Sequence, residues 1–246
     1  MRYISSGISL AAGCLIIGLP ALRADDTKKD SDGWVQLFNG KDLTGWKIHE
    51  KPSGDITEVI KVEKDGIVVG FDAKLKNGKT THLWRVEDGL LIGSGPPSHL
   101  FSERGDYVNF KYRVEAKIND HGNSGQYFRT DFGPGFPSGY ETQINSTHGD
   151  KIRTGSLYPD GRDNYSAEDK KKMIVLEQLH KPDELFVQEV TAIGDTITIS
   201  VNGKVTLDGF KDAKYRHKKG HFALQGHDPG TVVTFKKVEV KELPAE

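Results

Sequence analysis

The segment NFKYRVEAKIN, residues 109–119, alternates without a break. Phe110, Tyr112, Val114, Ala116 and Ile118 hold one parity, and Lys111, Arg113, Glu115 and Lys117 hold the other. Successive side chains of a strand point to opposite faces, so a period of two buries one face and wets the other, the pattern of a half-buried antiparallel strand. The same pattern returns in DTITISVNGKVTL, where Ile197, Ile199 and Val201 lead into Asn202-Gly203 and then Val205 and Leu207. Asn-Gly between alternating runs is the strongest short hairpin signal. In the tail, TVVTFKKVEVKEL, Val233 and Phe235 share one parity and Val238 and Val240 the other. A slip of one residue would turn apolar groups outward, so a bulge near Lys236-Lys237 is expected.

Shorter strands are expected at 35–38, 57–62, 66–71, 83–86, 90–93, 125–130, 140–144 and 221–225. One helical candidate, SAEDKKKMIVLEQL, opens with Ser166 and carries Asp169 three residues on, a loose capping box. In it Met173, Leu176 and Leu179 can face inward, although the IVL run is equally strand-like. Many short strands, turns at regular intervals and 28 glycines point to an all-β fold, a two-sheet antiparallel jelly-roll sandwich.

The first residues carry a different message. Arg2 precedes a mostly apolar run from Ile8 to Leu22 that ends in ALRADD. A positive start, a short apolar stretch and a small-residue end read as a secretory signal over 1–24, which predicts export to the periplasm or the medium. The run is short of the ~20 residues of a membrane span, and no membrane association is expected after cleavage. A lipoprotein reading would acylate Cys14 in LAAGC. Residues 25–33, DDTKKDSDG, read as a disordered leader, and 34–246 as a single domain. Cys14 is the only cysteine, so a mature chain would hold no disulfide and must be stable through its core. Lys+Arg 34 against Asp+Glu 35 leaves no basic excess, which argues against a nucleic-acid partner.

Several segments together resemble a known family. WVQLFNGKDLTGW (34–46), WRVEDGLLIGSG (84–95), YVNFKYRVEAKI followed by GNSGQYFR (122–129), GYETQI (139–144), TGSLYP (154–159) and LQGHDPGTVVTFKKVEVKEL (from Leu224) occur in the order found in the 3-keto-disaccharide hydrolase family. Over roughly 34–243 the chain is similar to these proteins. The resemblance implies a concanavalin A-like jelly roll whose concave sheet holds the ligand. It also implies cleavage of glycosides already oxidised to a ketone at C3 by a separate sugar 3-dehydrogenase. No nicotinamide site is then required, and no GxGxxG lies between a strand and a helix. Three features depart from the family pattern: the segment 55–78, the segment 160–183, and Leu185-Phe186 where a Trp-Asn pair is common.

A C3 ketone acidifies the C2 proton. Removing it, expelling the C1 substituent and adding water back requires a base, donors for the ketone oxygen and a proton source for the leaving group. Glu141 and Gln143 share a parity on a Tyr- and Ile-rich strand. Either both point to solvent, or Glu141 is an acid/base in a partly desolvated groove with Gln143 on a hydroxyl. His227, next to Asp228-Pro229-Gly230, suits proton transfer or caps a turn. Arg129 is either an enolate stabiliser or a strand arginine in a salt bridge. Tyr127 has Arg129's parity and suits a sugar surface. Asn123 shapes a turn or contacts substrate, and Tyr158 and His148 are further substrate-binding candidates. Trp34, Trp46 and Trp84 read as core anchors, Phe132 and Phe136 of DFGPGFPSG as rim groups. No HExxH or clustered His/Cys spacing suggests zinc. Glu141 with His227 can in principle hold a divalent ion such as calcium, but no cofactor is assigned. No GxSxG elbow and no second glycosidase carboxylate are visible. The rival reading is a non-catalytic carbohydrate-binding module on the same fold.

Overall fold

The structure is a computed structural model that describes residues 29–244, so the signal sequence expected over 1–24, Cys14 and the start of the expected leader lie outside the described residues. Residues 29–33 of the leader form a turn in which Asp30 Oδ1 accepts from the backbone N–H of Asp32 and Trp34. Among the described residues, no helix is long and apolar enough to cross a membrane.

Fifteen strands follow. They are β1 (Val35–Gln36), β2 (Trp46–Ile48), β3 (Ile56–Lys64), β4 (Ile67–Leu75), β5 (Thr80–Glu87), β6 (Leu90–Gly93), β7 (Ser98–Ser102) and β8 (Phe110–Ile118). Then come β9 (Ser124–Thr130), β10 (Tyr140–Ile144), β11 (Phe186–Ile193), β12 (Thr196–Val201), β13 (Lys204–Lys211), β14 (His221–Gly226) and β15 (Val233–Glu242). A single-turn 3₁₀ helix at Gly161–Asp163 and helix α1 (Ala167–Met173) lie between β10 and β11. The strands build two antiparallel sheets. The larger runs β13-β12-β11-β8-β15-β6-β5-β4-β3, with β1 added on β15, and the smaller runs β10-β9-β14-β7-β2. The architecture is the expected jelly-roll sandwich.

The alternating runs do what their period requires. On β8 every member of the Phe110–Ile118 parity is buried and the charged parity is half-exposed. Asn202 and Gly203 both take positive φ in the β12–β13 hairpin, as a tight primed turn demands. The bulge in the tail lies between Phe235 and Lys237 against β8, and it keeps Val238 and Val240 inside. Trp46 and Trp84 are core residues. Trp34 is buried too, outside the main cluster, with the Arg113 guanidinium 3.9 Å from its ring centre.

The sequence reading misses β2, β7 and β11. Strand β7, SHLFS, is buried along its whole length, so it shows no wet parity. Strand β11 places Gln188 on its core face, which breaks the apolar pattern. That amide is satisfied inside the sandwich: it donates to Gln126 Oε1 of β9 at 3.1 Å and accepts from Gly155 N–H at 2.8 Å. Helix α1 does start on Ser166, whose hydroxyl accepts from Asp169 N–H, but it ends at Met173. Because the helix stops there, Leu176 is 69% exposed rather than inward, while Met173 is buried and Leu179 packs against the core.

One correction concerns Arg129. Strict alternation would put it on the face of Tyr127. In the fold, β9 carries an extra residue opposite β14 between His221 and Ala223, and Arg129 has φ +49°. Such a bulge reverses the parity beyond it. Gly220 accommodates the displaced backbone: a Cβ there would lie 2.6 Å from the Thr130 carbonyl oxygen. The guanidinium therefore turns to the end of the sandwich. It donates to the Val108 carbonyl (2.9 and 2.6 Å), to Gly194 (2.7 Å) and to His217 (3.4 Å), and it lies 5.7 Å from the Phe110 ring centre. It is 1% exposed, and burial lowers its pKa. Arg129 ties three chain segments together by their backbone carbonyls. Replacing it with alanine strands those acceptors, and a loss of about 3 kcal/mol in unfolding free energy is expected by urea denaturation.

Candidate active site

The smaller sheet shows one face to the core and carries the site on the other. On β9, Gln126 and Phe128 point inward and Tyr127 outward. On β10, Tyr140 and Ile144 point inward, whereas Glu141 and Gln143 point outward. On β14, Phe222 and Leu224 join the core, and Ala223 packs with Tyr127 and Phe101 in a separate outer cluster. The register pairs Glu141 with Tyr127 and Gln143 with Gly125. These outward side chains meet in a cavity of about 270 Å³, lined by Asn123, Tyr127, Phe136, Glu141, Gln143, Tyr158, Asp160, Gly161, Gln225 and His227.

Glu141 is the centre of this arrangement. Its carboxylate folds back over β9, where Gly125 leaves room; a Cβ on residue 125 would collide with that carboxylate and stand 2.8 Å from Tyr127 Cε2. The Tyr127 hydroxyl donates to Glu141 Oε2 at 2.7 Å and accepts from Gln225 Nε2 at 2.9 Å. Burial pushes the Glu141 carboxyl up to about 8. The Tyr127 hydrogen bond opposes that rise, nearby Asp160 and Asp150 add to it, and Arg162 opposes it more weakly. A carboxyl so placed is mostly protonated at neutral pH.

The remaining wall comes from loops. His227 follows β14, and its Nδ1 lies 3.2 Å from Asp228 Oδ2; as an N–H this nitrogen donates to the carboxylate, which Thr231 and Gly230 hold in place. Residues 154–158 run beside β10, with Tyr158 N–H bound to the Glu141 carbonyl, so the Tyr158 ring stands next to the carboxylate. Its hydroxyl donates to Asp150 Oδ2 at 3.2 Å. His148 stands behind His227, ring centres 6.1 Å apart, and its Nδ1 accepts from Asp150 N–H. Two buried amide oxygens on the pocket wall, Asn123 Oδ1 and Gln225 Oε1, have no partner among the described residues. Buried acceptors left open are ready for hydroxyl donors from a ligand.

The structure thus brings together Glu141, His227, Gln143, Tyr127, Asn123 and Tyr158 and sets His148 just behind them. It does not bring Arg129, which faces the opposite side of β9. Sequence reasoning also missed Gln225, Asp160 and His99. Gln225 had a legible signal: in HFALQG it has the parity opposite to Phe222 and Leu224, and a polar group there marks the outer face. Asp160 gave none, because it arrives in an irregular loop, paired with Arg162. His99, 2% exposed, lies on the floor beside Tyr127 (5.0 Å between ring centres) and under Phe136 (5.6 Å). Burial pushes its imidazole down to about 3, so it is neutral. Among the described residues no group of three or more His, Cys, Asp or Glu side chains gathers into a metal-binding set, and Glu141 and His227 share their pocket mainly with amides and tyrosines.

Two proteins of Parabacteroides distasonis described as candidate glycosyl hydrolases share the fold. The first has 23% identity and a TM-score of 0.56, covering 87% of this chain and 95% of its own. The second has 18% identity and a TM-score of 0.54, covering 85% and 99%. An immunostimulatory antigen and pseudo beta-1,3-glucanase of Mycobacterium tuberculosis superimposes at 10% identity with a TM-score of 0.51, over 83% and 95%. Comparison with curated proteins finds no match. At these identities the likeness establishes the concanavalin A-like sandwich; the sequence itself goes further, because residues 33–241 match the 3-keto-alpha-glucoside-1,2-lyase-like domain, and the chain belongs to that family.

Proposed function

We propose that this protein cleaves 3-keto-glycosides by elimination and hydration, with Glu141 and His227 as the proton-transferring pair. The observation that carries the reading is a carboxyl held mostly protonated at neutral pH, in the same small pocket as an imidazole already backed by a carboxylate. With its Nδ1–H on Asp228, the His227 ring presents Nε2 as a base. It takes the C2 proton of the bound sugar, and the electron pair delocalises onto the C3 oxygen. The C1–O bond breaks, and Glu141 gives its proton to the departing oxygen. Water then adds to the C1=C2 bond, hydroxyl at C1 and proton at C2, so the sum is hydrolysis. In the hydration the Glu141 carboxylate takes the proton of the attacking water and the His227 imidazolium returns its own to C2, so both groups are restored. Tyr127, between Gln225 and Glu141, keeps the carboxyl oriented. The open amide oxygens of Asn123 and Gln225 accept sugar hydroxyls. With Arg129 elsewhere, the enolate oxygen depends on a neutral donor: the Gln143 amide N–H₂ is the candidate on this wall.

On this reading the substrate comes from a separate sugar 3-dehydrogenase, and the secretory signal expected over 1–24 would put the work outside the cytoplasm. Mass spectrometry of the secreted or periplasmic protein should find a mature chain starting at Asp25.

A 3-keto-glucoside with a chromogenic aglycone provides the direct assay. Glu141→Gln and His227→Ala should each lower kcat/KM by about 10²–10⁴, and the C2 proton should exchange with deuterated solvent during turnover. Sugar binding without aglycone release would instead assign a carbohydrate-binding module. Because Glu141 must hold its proton, kcat/KM should fall as pH rises through about 8, a limb that Glu141→Gln removes. Stability follows the same sign. The folded protein keeps this proton after the unfolded chain has lost its own near pH 4, so the contribution is full below that pH and disappears through about 8. Glu141→Gln should therefore melt several degrees higher than the wild type at pH 9, with the difference closing toward pH 4.

A further inference from the structure

The pocket around Glu141 is small. Its 270 Å³ lies below the usual range of about 300–1,000 Å³ for sites that enclose a whole ligand. A glycoside has two parts, so if one sugar ring fills this cavity, the group attached at C1 must lie outside it. From the pocket mouth a line of rings runs along the smaller sheet, its middle members His99 and Phe101 buried beneath the loop between β9 and β10. Phe136 touches His227 and His99 (5.6 Å each), His99 meets Phe101 (6.1 Å), Phe101 meets Phe132 edge-on (5.1 Å), and Phe132 meets His49 (5.4 Å). Phe132 and Phe136, on the loop between β9 and β10, are 41% and 48% exposed. Two large aromatics held in water at one rim are an unusual expense for a structural role, whereas rings are natural partners for flat apolar groups.

The line ends in a second cleft of about 650 Å³, with Phe132 at its entrance. Its floor is Trp46 and Ile48 of β2. Its far wall is the β3–β4 hairpin, through Val59, Ile67 and Phe71. That hairpin is the segment 55–78, which departs from the family pattern. It adds two strands to the edge of the larger sheet, and its Ile67 is 48% exposed beside the turn. Lys47, 4.4 Å above the Phe132 ring centre, and Glu50 supply a mixed-charge rim.

We infer that the inserted hairpin and Phe132 form a leaving-group subsite, which accepts a flat, apolar aglycone of at least one aromatic ring. The inference rests on the proposed cleavage of 3-keto-glycosides and adds the chemical class of the group expelled. One loop decides the occupant: between β9 and β10, Phe136 lines the catalytic pocket and Phe132 lines the cleft, so the same segment borders both.

The test compares methyl, 4-nitrophenyl and 4-methylumbelliferyl 3-keto-glucosides on the wild type, Phe132→Ala and Ile67→Lys. Both substituted side chains are solvent-exposed, and circular dichroism with melting curves checks folding. In the wild type, KM should fall from the methyl to the fused-ring aglycone. In both variants the ratio of aryl to methyl kcat/KM should drop about five- to tenfold. Binding of the unoxidised 4-methylumbelliferyl glucoside, which cannot react, should weaken by a similar factor in a fluorescence titration. If the wild type cleaves all three substrates and the ratio is the same in the variants, or all substrates lose activity together, the subsite is wrong while the cleavage reading stands. If the wild type cleaves none, the cleavage reading fails, and the unreactive glucoside alone then decides the cleft: binding insensitive to both variants overturns it. A concentration-dependent dimer in the ultracentrifuge that Ile67→Lys abolishes would assign the cleft to a second copy and overturn it as well.

Discussion

Strand β9 has no wet side. All seven of its residues are buried, yet its two faces serve different ends: Phe128 and Gln126 belong to the core, and Tyr127 stands under the candidate active site. Everything in the pocket depends on that strand holding its height and register. Three devices do so. Paired strands on both sides fix it laterally, the Gln126–Gln188 amide contact ties it to the larger sheet, and Arg129 anchors its end to three backbone carbonyls. A buried polar network of this kind is costly unless each member is satisfied, and then it specifies one arrangement over its neighbours.

The chemistry follows from the same burial. A carboxyl buried over a glycine, with two aspartates nearby, holds its proton at pH values where an exposed glutamate would not, even though a tyrosine hydroxyl donates to it. The pocket is therefore poised as a donor before substrate arrives. His227 lies where loop and sheet meet, backed by the adjacent carboxylate. The proposed reaction draws on both groups, the buried carboxyl giving a proton and the imidazole taking one.

Much of this was readable from the chain. Period-two runs marked β8, β12 and β15 and foretold the bulge at Lys236-Lys237, because a slip in parity has only one remedy that keeps valines inside. Glu141 and Gln143 stood out as polar residues of one parity in an otherwise apolar strand. Arg129 was misread for the same reason that these succeeded. Parity transmits direction only while the ladder is regular, and an extra residue opposite Phe222 reverses it without leaving a mark in the local sequence. Strand β7 escaped because a strand buried on both faces shows no alternation.

Local patterning thus determined the fold class, the hairpins and the side of β10 that carries polar groups, since these depend on neighbours one to four residues apart. Tertiary structure alone decided which distant groups meet. Glu141, Gln225 and His227 converge because β10, β9 and β14 lie side by side in one sheet, and Asp160 joins them from an irregular loop. It also decided the protonation of Glu141, since that depends on how much protein replaces water around the carboxyl, and no run of residues encodes the depth at which it is buried.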